Sequence, residues 1–177
     1  MEFKELIEAR RSVRKYVASE ISRAEVEEIV AEALNAPSWK NTEVTRYYAA
    51  VSAEGKDRLR GEALPGFNAA SSANAAALVA VTYRWGESGF AGADPANELG
   101  ETWGAYDCGL ASAYFVLAAK NRGWDSLILG IRDAAKIREL FAIPDDETVT
   151  SVIVLGKSAV TAAKPPRKPV SGVLRVS

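Results

Sequence analysis

Two segments with the period of an amphipathic helix precede the first segment that reads as a strand, and this order constrains the fold more than any other feature of the chain. Phe3, Leu6 and Ile7 recur at helical spacing in a short opening segment that runs into an extended arm. Ser22-Arg23-Ala24-Glu25 then fits a capping box, and Val26, Ile29, Val30, Ala33 and Leu34 follow at i, i+3, i+4, i+7 and i+8. That helix should stop before Pro37, which disfavours helical geometry at Ala36. Only afterwards does 46–51 read as a strand, followed by a polar-faced helix over 53–63, an alanine-rich close-packing stretch over 64–77 and a buried strand over 78–83.

The stretch 86–104 holds five glycines, a proline and scattered acids, and is expected to be a loop long enough to cover a pocket. A second long helix is predicted over 105–122, closed by Gly123 at a left-handed cap. A strand over 126–129 ends at Gly130, a helix spans 133–141, and 148–155 is a β-branched central strand. Helices and strands do not alternate regularly, which favours α+β over a doubly wound parallel sheet. No Gly-x-Gly-x-x-Gly follows a strand, so a dinucleotide site of that kind lacks its phosphate turn.

Composition narrows the chemistry. The 177 residues, 48% hydrophobic and 25% charged, suffice for one well-buried core, and residues 1–177 are expected to form one domain. A formal net charge of −1 argues against nucleic acid as a partner, since a phosphate-tracking protein carries a broad excess of Lys and Arg. The apolar runs around 75–81 and 110–119 fall short of the roughly 20 residues needed to cross a bilayer, so no membrane partner is expected. The single cysteine, Cys108, cannot form an intramolecular disulfide, and Met1-Glu2-Phe3 opens no signal sequence; a cytoplasmic location is the plain expectation. Histidine is absent, which removes Ser-His and Cys-His triads and the usual zinc ligands together.

Four constellations could carry chemistry. Arg10, Arg11, Arg14 and Lys15 place four cations within six residues, with Ser12 among them. Guanidinium groups chelate phosphoryl oxygens through paired, charge-assisted bonds, so a bound phosphate would explain the density; a solvated helix end explains it too. If the chain is extended from Ser12, then Ser12, Arg14 and Tyr16 share a face. The tail holds Lys164, Arg167 and Lys168 on a proline-stiffened strap, which reads either as a second half of an anion clamp or as a frayed cationic terminus. The loop Pro37-Ser38-Trp39-Lys40-Asn41 offers a hydroxyl, an amide and an indole to a heterocycle, or is an ordinary helix-ending turn around a packed Trp39. Ile128-Leu129-Gly130 runs an apolar strand into a glycine that lets backbone donors approach a ligand, as a plain strand-to-helix turn would also do. Asn68 could read the edge of a pyrimidine-like ring or serve a turn, Asp107 reads as dipole compensation, and Cys108 as core.

Taken together and in order, Arg10-Arg11-Ser12-Val13-Arg14-Lys15-Tyr16, Ala36-Pro37-Ser38-Trp39-Lys40-Asn41, the alanine-rich helix with Asp107 and Gly123, Leu129-Gly130, and Gly156 with Pro166-Arg167-Lys168-Pro169 resemble the nitroreductase family of FMN-dependent enzymes. The resemblance spans nearly the whole chain. It implies an α+β, three-layer fold with a mixed central sheet flanked by helices, in an intertwined homodimer with FMN at the subunit interface. Carried over by position, Arg10, Arg11, Ser12 and Arg14 would bind the phosphate and the ribityl or pyrimidine end, with Arg167 closing over the phosphate. Pro37, Ser38, Trp39 and Asn41 would come from the partner subunit, Asn68 would touch the ring edge, and Ile128, Leu129 and Gly130 would line the isoalloxazine. The implied activity is ping-pong transfer of electrons from NAD(P)H through FMN to a small oxidised acceptor, nitroaromatic, quinone or similar, with no catalytic side chain required. Ser71 stands near where some relatives carry a lysine, and Leu129 where certain branches carry an acid. Two other readings use the same clusters: a flavin or nucleotide carrier or sensor without turnover, and a flavin-free scaffold gripping an acidic partner.

Overall fold

The computed structural model describes residues 1–177, and its centre is a five-stranded sheet. Strands β3 (Ala77–Arg84) and β7 (Glu147–Ser158) form the middle pair, with β2 (Thr45–Ala50) outside β3 and β6 (Asp125–Leu129) outside β7. The two-residue β1 (Tyr16–Val17) pairs with the far end of β7 through Ser158 and Lys157. Every pairing of these strands is antiparallel; the parallel component of the expected mixed sheet is a single bridge, Ser12 to Ser126, on the outer side of β6.

Alternation of side chains across β3 and β7 explains why both strands are apolar throughout. Val79, Val81, Ile153 and Leu155 face one layer, where they pack with Val26, Ile29 and Ala33 of α2 (Arg23–Ala33) and with Phe115 and Ala119 of α5 (Thr102–Asn121). Leu78, Ala80, Val152 and Val154 face the other, against Leu59 and Ala63 of α3 (Ala53–Ala63) and Ile137 of α6 (Ala134–Phe141). Three layers result. A bulge interrupts the register: Val81 faces Ser151 but Thr82 faces Val149, leaving Thr150 to donate from its hydroxyl to the Val81 carbonyl at 2.9 Å.

The capping box of α2 is present in full. Ser22 Oγ accepts from the Glu25 amide at 3.1 Å, and the Glu25 carboxylate accepts from the Ser22 amide at 3.0 Å. α5 begins three residues before the expected Ala105, because Gly104 belongs to the helix and not to the preceding loop. A Cβ on Gly104 would lie 2.5 Å from the Tyr83 ring, so glycine is what lets α5 pack down on β3. The expected loop before it carries a small hairpin, β4 (Phe90–Ala91) with β5 (Asp94–Pro95), and the alanine-rich stretch carries a short helix, α4 (Gly66–Ser71). The remaining helix, α1 (Phe3–Ala9), precedes the basic arm. No helix is long and apolar enough to cross a membrane.

Candidate functional site

The basic arm is fixed along the outer edge of β6. The Val13 amide donates to the Ser126 carbonyl at 3.0 Å, Val13 is buried, and Tyr16 Oη donates back to the Val13 carbonyl at 2.7 Å. Burying Val13 and Tyr16 turns Ser12, Arg14 and Lys15 outward. Tyr16 therefore does not share a face with Ser12 and Arg14: the chain is not a continuous strand between the Ser12 bridge and β1, and strict alternation is lost. Arg11 donates to the Arg10 carbonyl at 2.6 Å and Arg14 to the Ser12 carbonyl at 3.4 Å, and no carboxylate pairs with Arg10, Arg11 or Arg14.

The tail returns to this arm. Lys164 forms an ion pair with Glu8 on α1, and the Glu8 carboxyl is held below its ordinary value chiefly by Lys164, with Arg11 and Lys4 contributing. Arg167, three residues further along, is exposed and donates only to the Pro165 carbonyl at 3.1 Å. The cationic segments from the two ends of the chain are thus neighbours.

The C-terminal end of β6 completes this group. Ile128 is exposed and Gly130 borders open space, whereas the Leu129 side chain is buried, so Leu129 can offer a ligand its backbone only. Asn68, buried on α4, donates its amide to the Ile131 carbonyl at 2.7 Å and so pins the chain just after Gly130. One of its two amide hydrogens is used by the protein, leaving the other and the carbonyl oxygen for other partners.

Pro37, Ser38, Trp39 and Asn41 lie elsewhere, in the loop that joins α2 to β2 at the opposite edge of the sheet. Strands β3 and β7 separate them from β6, three interstrand spacings or roughly 14 Å. Within one chain the two groups are not brought together. Lys40 and Asn41 adopt left-handed φ of 47° and 57°, Ser38 Oγ accepts from the Glu43 amide at 3.0 Å, and Asn41 donates to Glu43 Oε1 at 2.9 Å. Trp39 packs on Trp103 with ring centroids 4.9 Å apart, and its indole nitrogen is buried without a partner.

Asp107 organises this loop, which contradicts its reading as dipole compensation. It sits in the second turn of α5, is buried, and accepts from the Trp39 amide at 2.9 Å and from Ser88 Oγ at 2.5 Å. The available signal was its isolation: it is the only charged residue in 105–119. Cys108 is core, as expected, with its thiol pushed up by burial and set against Thr150 Oγ1 at 3.4 Å.

Comparison with known proteins agrees with this geometry. The model of the nitroreductase family matches residues 7–157. A Bacillus subtilis (strain 168) protein, YdgI, named for NAD(P)H nitroreductase activity, is 27% identical over 196 residues, covering 89% of this chain and 89% of its own. Among solved structures, a nitroreductase-type protein of Exiguobacterium sibiricum 255-15 in complex with FMN superposes with a TM-score of 0.86 at 23% identity, covering 100% of this chain and 98% of its own. A gut-bacterial enone reductase of fatty acid saturation metabolism superposes with a TM-score of 0.85 at 18% identity, covering 99% and 97%. At these identities the two structures speak for the fold.

Proposed function

Because this chain belongs to the nitroreductase family, we propose that it is an FMN-dependent oxidoreductase that passes electrons from NAD(P)H to a small oxidised acceptor, such as a nitroaromatic or a quinone, in a site completed by two copies of the chain. One observation carries the reading: Arg10, Arg11, Arg14 and Arg167 all lack carboxylate partners and come from the two segments that the Lys164–Glu8 ion pair joins, whereas Arg46, Arg132 and Arg175, also without a carboxylate, stand apart from those clusters in sequence. Unpaired guanidinium groups gathered beside a serine suit a phosphate dianion, so the donor set fits FMN.

In this reading Arg10, Arg11, Ser12 and Arg14 hold the phosphate and the adjoining ribityl and pyrimidine end, and Arg167 covers the phosphate from the tail. Ile128 and the backbone of Leu129 and Gly130 face the ring, and the Asn68 carbonyl oxygen reads its edge. When bound, the flavin supplies two-electron chemistry that NAD(P)H and the acceptor use in turn, by a ping-pong scheme. The protein supplies position, positive charge and exclusion of water. No histidine or side-chain nucleophile is needed.

The second copy supplies what one chain keeps apart. Pro37, Ser38, Trp39 and Asn41 reach the flavin from the partner, across a two-fold interface. Unpartnered apolar surface supports that assembly: Tyr106 and Tyr114 on the outer face of α5 are 58% and 41% exposed, and Val170, Val173, Leu174 and Val176 of the tail are all exposed. A buried free cysteine accords with a reducing cytoplasm.

Anaerobic mixing of purified, FMN-loaded protein with NADH or NADPH tests the activity. Loss of the flavin absorption band with either donor, and its return on adding an acceptor, is the expected result. A band that persists under both donors would make the protein a flavin carrier or sensor instead.

A further inference from the structure

The stretch 159–170 carries Lys164, Arg167 and Lys168 and no acid, and the arm over 10–15 carries Arg10, Arg11, Arg14 and Lys15 and no acid. Like charges at that density repel, so the two segments need a counter-charge if they are to lie side by side. Glu8, the next-to-last residue of α1, supplies it through its ion pair with Lys164. Its carboxyl is held low chiefly by Lys164, with Arg11 and Lys4 contributing, so one acid serves both cationic segments. The pair is also the tail's single polar tie. The Ala159 amide donates to the Lys15 carbonyl at 2.9 Å, but from residue 161 onward every hydrogen bond apart from the one between Lys164 and Glu8 stays within the tail. With 41% of the Lys164 side chain and 54% of the Glu8 side chain exposed, such a pair adds little to global stability. Its effect is local: the course of the tail is decided at Glu8.

We propose that the Glu8–Lys164 ion pair is a latch that sets Arg167 over the flavin phosphate, with Glu8 and Lys164 as positioning residues that act through Arg167. The inference rests on the assignment of Arg10, Arg11, Arg14 and Arg167 to that phosphate. Pro165 and Pro166 stiffen the three-residue step from Lys164 to Arg167, which spans roughly 9 Å in an extended strap, so fixing Lys164 fixes the reach of Arg167. A latched tail has already lost the freedom that phosphate binding would otherwise take from it, and the flavin is held more tightly for that reason. The sign of one substitution separates a latch from plain electrostatics. Glu8 is an acid beside a cationic clamp, so Coulomb attraction alone predicts that Glu8→Gln holds a phosphate more tightly. A latch predicts the opposite.

The test measures the FMN dissociation constant by equilibrium dialysis at low ionic strength, where an exposed pair is least screened. Glu8→Gln should weaken FMN binding by about 2- to 5-fold, the scale of an exposed ion pair. The charge-reversed protein, Glu8→Lys with Lys164→Glu, keeps the net charge and should bind FMN nearly as the wild type does. Limited trypsin digestion of the same FMN-loaded samples reads the tail without reference to affinity. Cleavage after Arg167, located by mass spectrometry, should be faster in Glu8→Gln and near the wild-type rate in the charge-reversed protein. Both positions are exposed, and circular dichroism checks the fold of each variant. Glu8→Gln that binds FMN as tightly as wild type or more tightly, or that is cleaved after Arg167 no faster, would overturn the latch and leave the flavin assignment standing. So would a charge-reversed protein that binds FMN as weakly as Glu8→Gln. Wild-type protein that takes up no FMN would overturn both.

Discussion

Asp107, Arg14 and Glu101 show three different fates of a charge in this fold. The Asp107 carboxylate is buried and bonded to two loops, so truncation leaves the Trp39 amide and Ser88 hydroxyl without their acceptor. Asp107→Ala should cost about 1–3 kcal/mol of stability per orphaned group, read from the urea midpoint. Arg14 is exposed and lacks an acid, so its value lies in a ligand. Arg14→Ala should weaken FMN binding by about 1–3 kcal/mol, measured by equilibrium dialysis, with little change in the melting temperature of flavin-free protein. Unchanged flavin affinity would count against the phosphate clamp. Glu101 is the unfavourable case: burial raises its carboxyl above the ordinary value, and the Gly86 amide only partly opposes this. The ionised form is then disfavoured in the folded chain, a penalty complete above the raised value and absent once pH falls below the ordinary carboxylate range. Glu101→Gln should therefore raise the melting temperature near pH 7 and confer no gain at about pH 4.

At the scale of elements, α5 is governed by two glycines with opposite surroundings. Gly104 lies against Tyr83, and an added methyl meets the ring at 2.5 Å; Gly104→Ala should destabilise the protein by about 1–3 kcal/mol through overpacking. Gly109 has nothing within 4 Å in the single chain. Helix propensity alone predicts that Gly109→Ala stabilises by about 1 kcal/mol. If the outer face of α5 is closed by a second copy, the same methyl enters that contact, and sedimentation equilibrium should show a weaker dimer. The elements themselves were legible because their periods are local. Val26 to Leu34 repeats every 3.6 residues behind a capping box, and 148–155 is a β-branched run. Gly104 reads as loop in the sequence because a glycine needed for helix packing and one needed for a turn look alike until Tyr83 is placed beside it.

At the scale of the molecule, the sheet order β2-β3-β7-β6 could not be read from the chain, since it joins residues such as Ala77 and Leu155 that are far apart in sequence. The same limit applied to the site. Its cationic ends stood out as charge clusters, and the Lys164–Glu8 ion pair sets the tail beside α1. The separation of the 37–41 loop from β6 by two strands, and the bond from Asp107 to Trp39, exist only in three dimensions. The central claim is that arginines near both termini of one chain and a loop of another enclose one flavin. Sedimentation velocity followed at both the protein and the flavin absorption bands, over a dilution series, tests it most directly. The account predicts that flavin travels only with the dimer and is released as the dimer dissociates; flavin that stays in one-to-one ratio on a sedimenting monomer would contradict it.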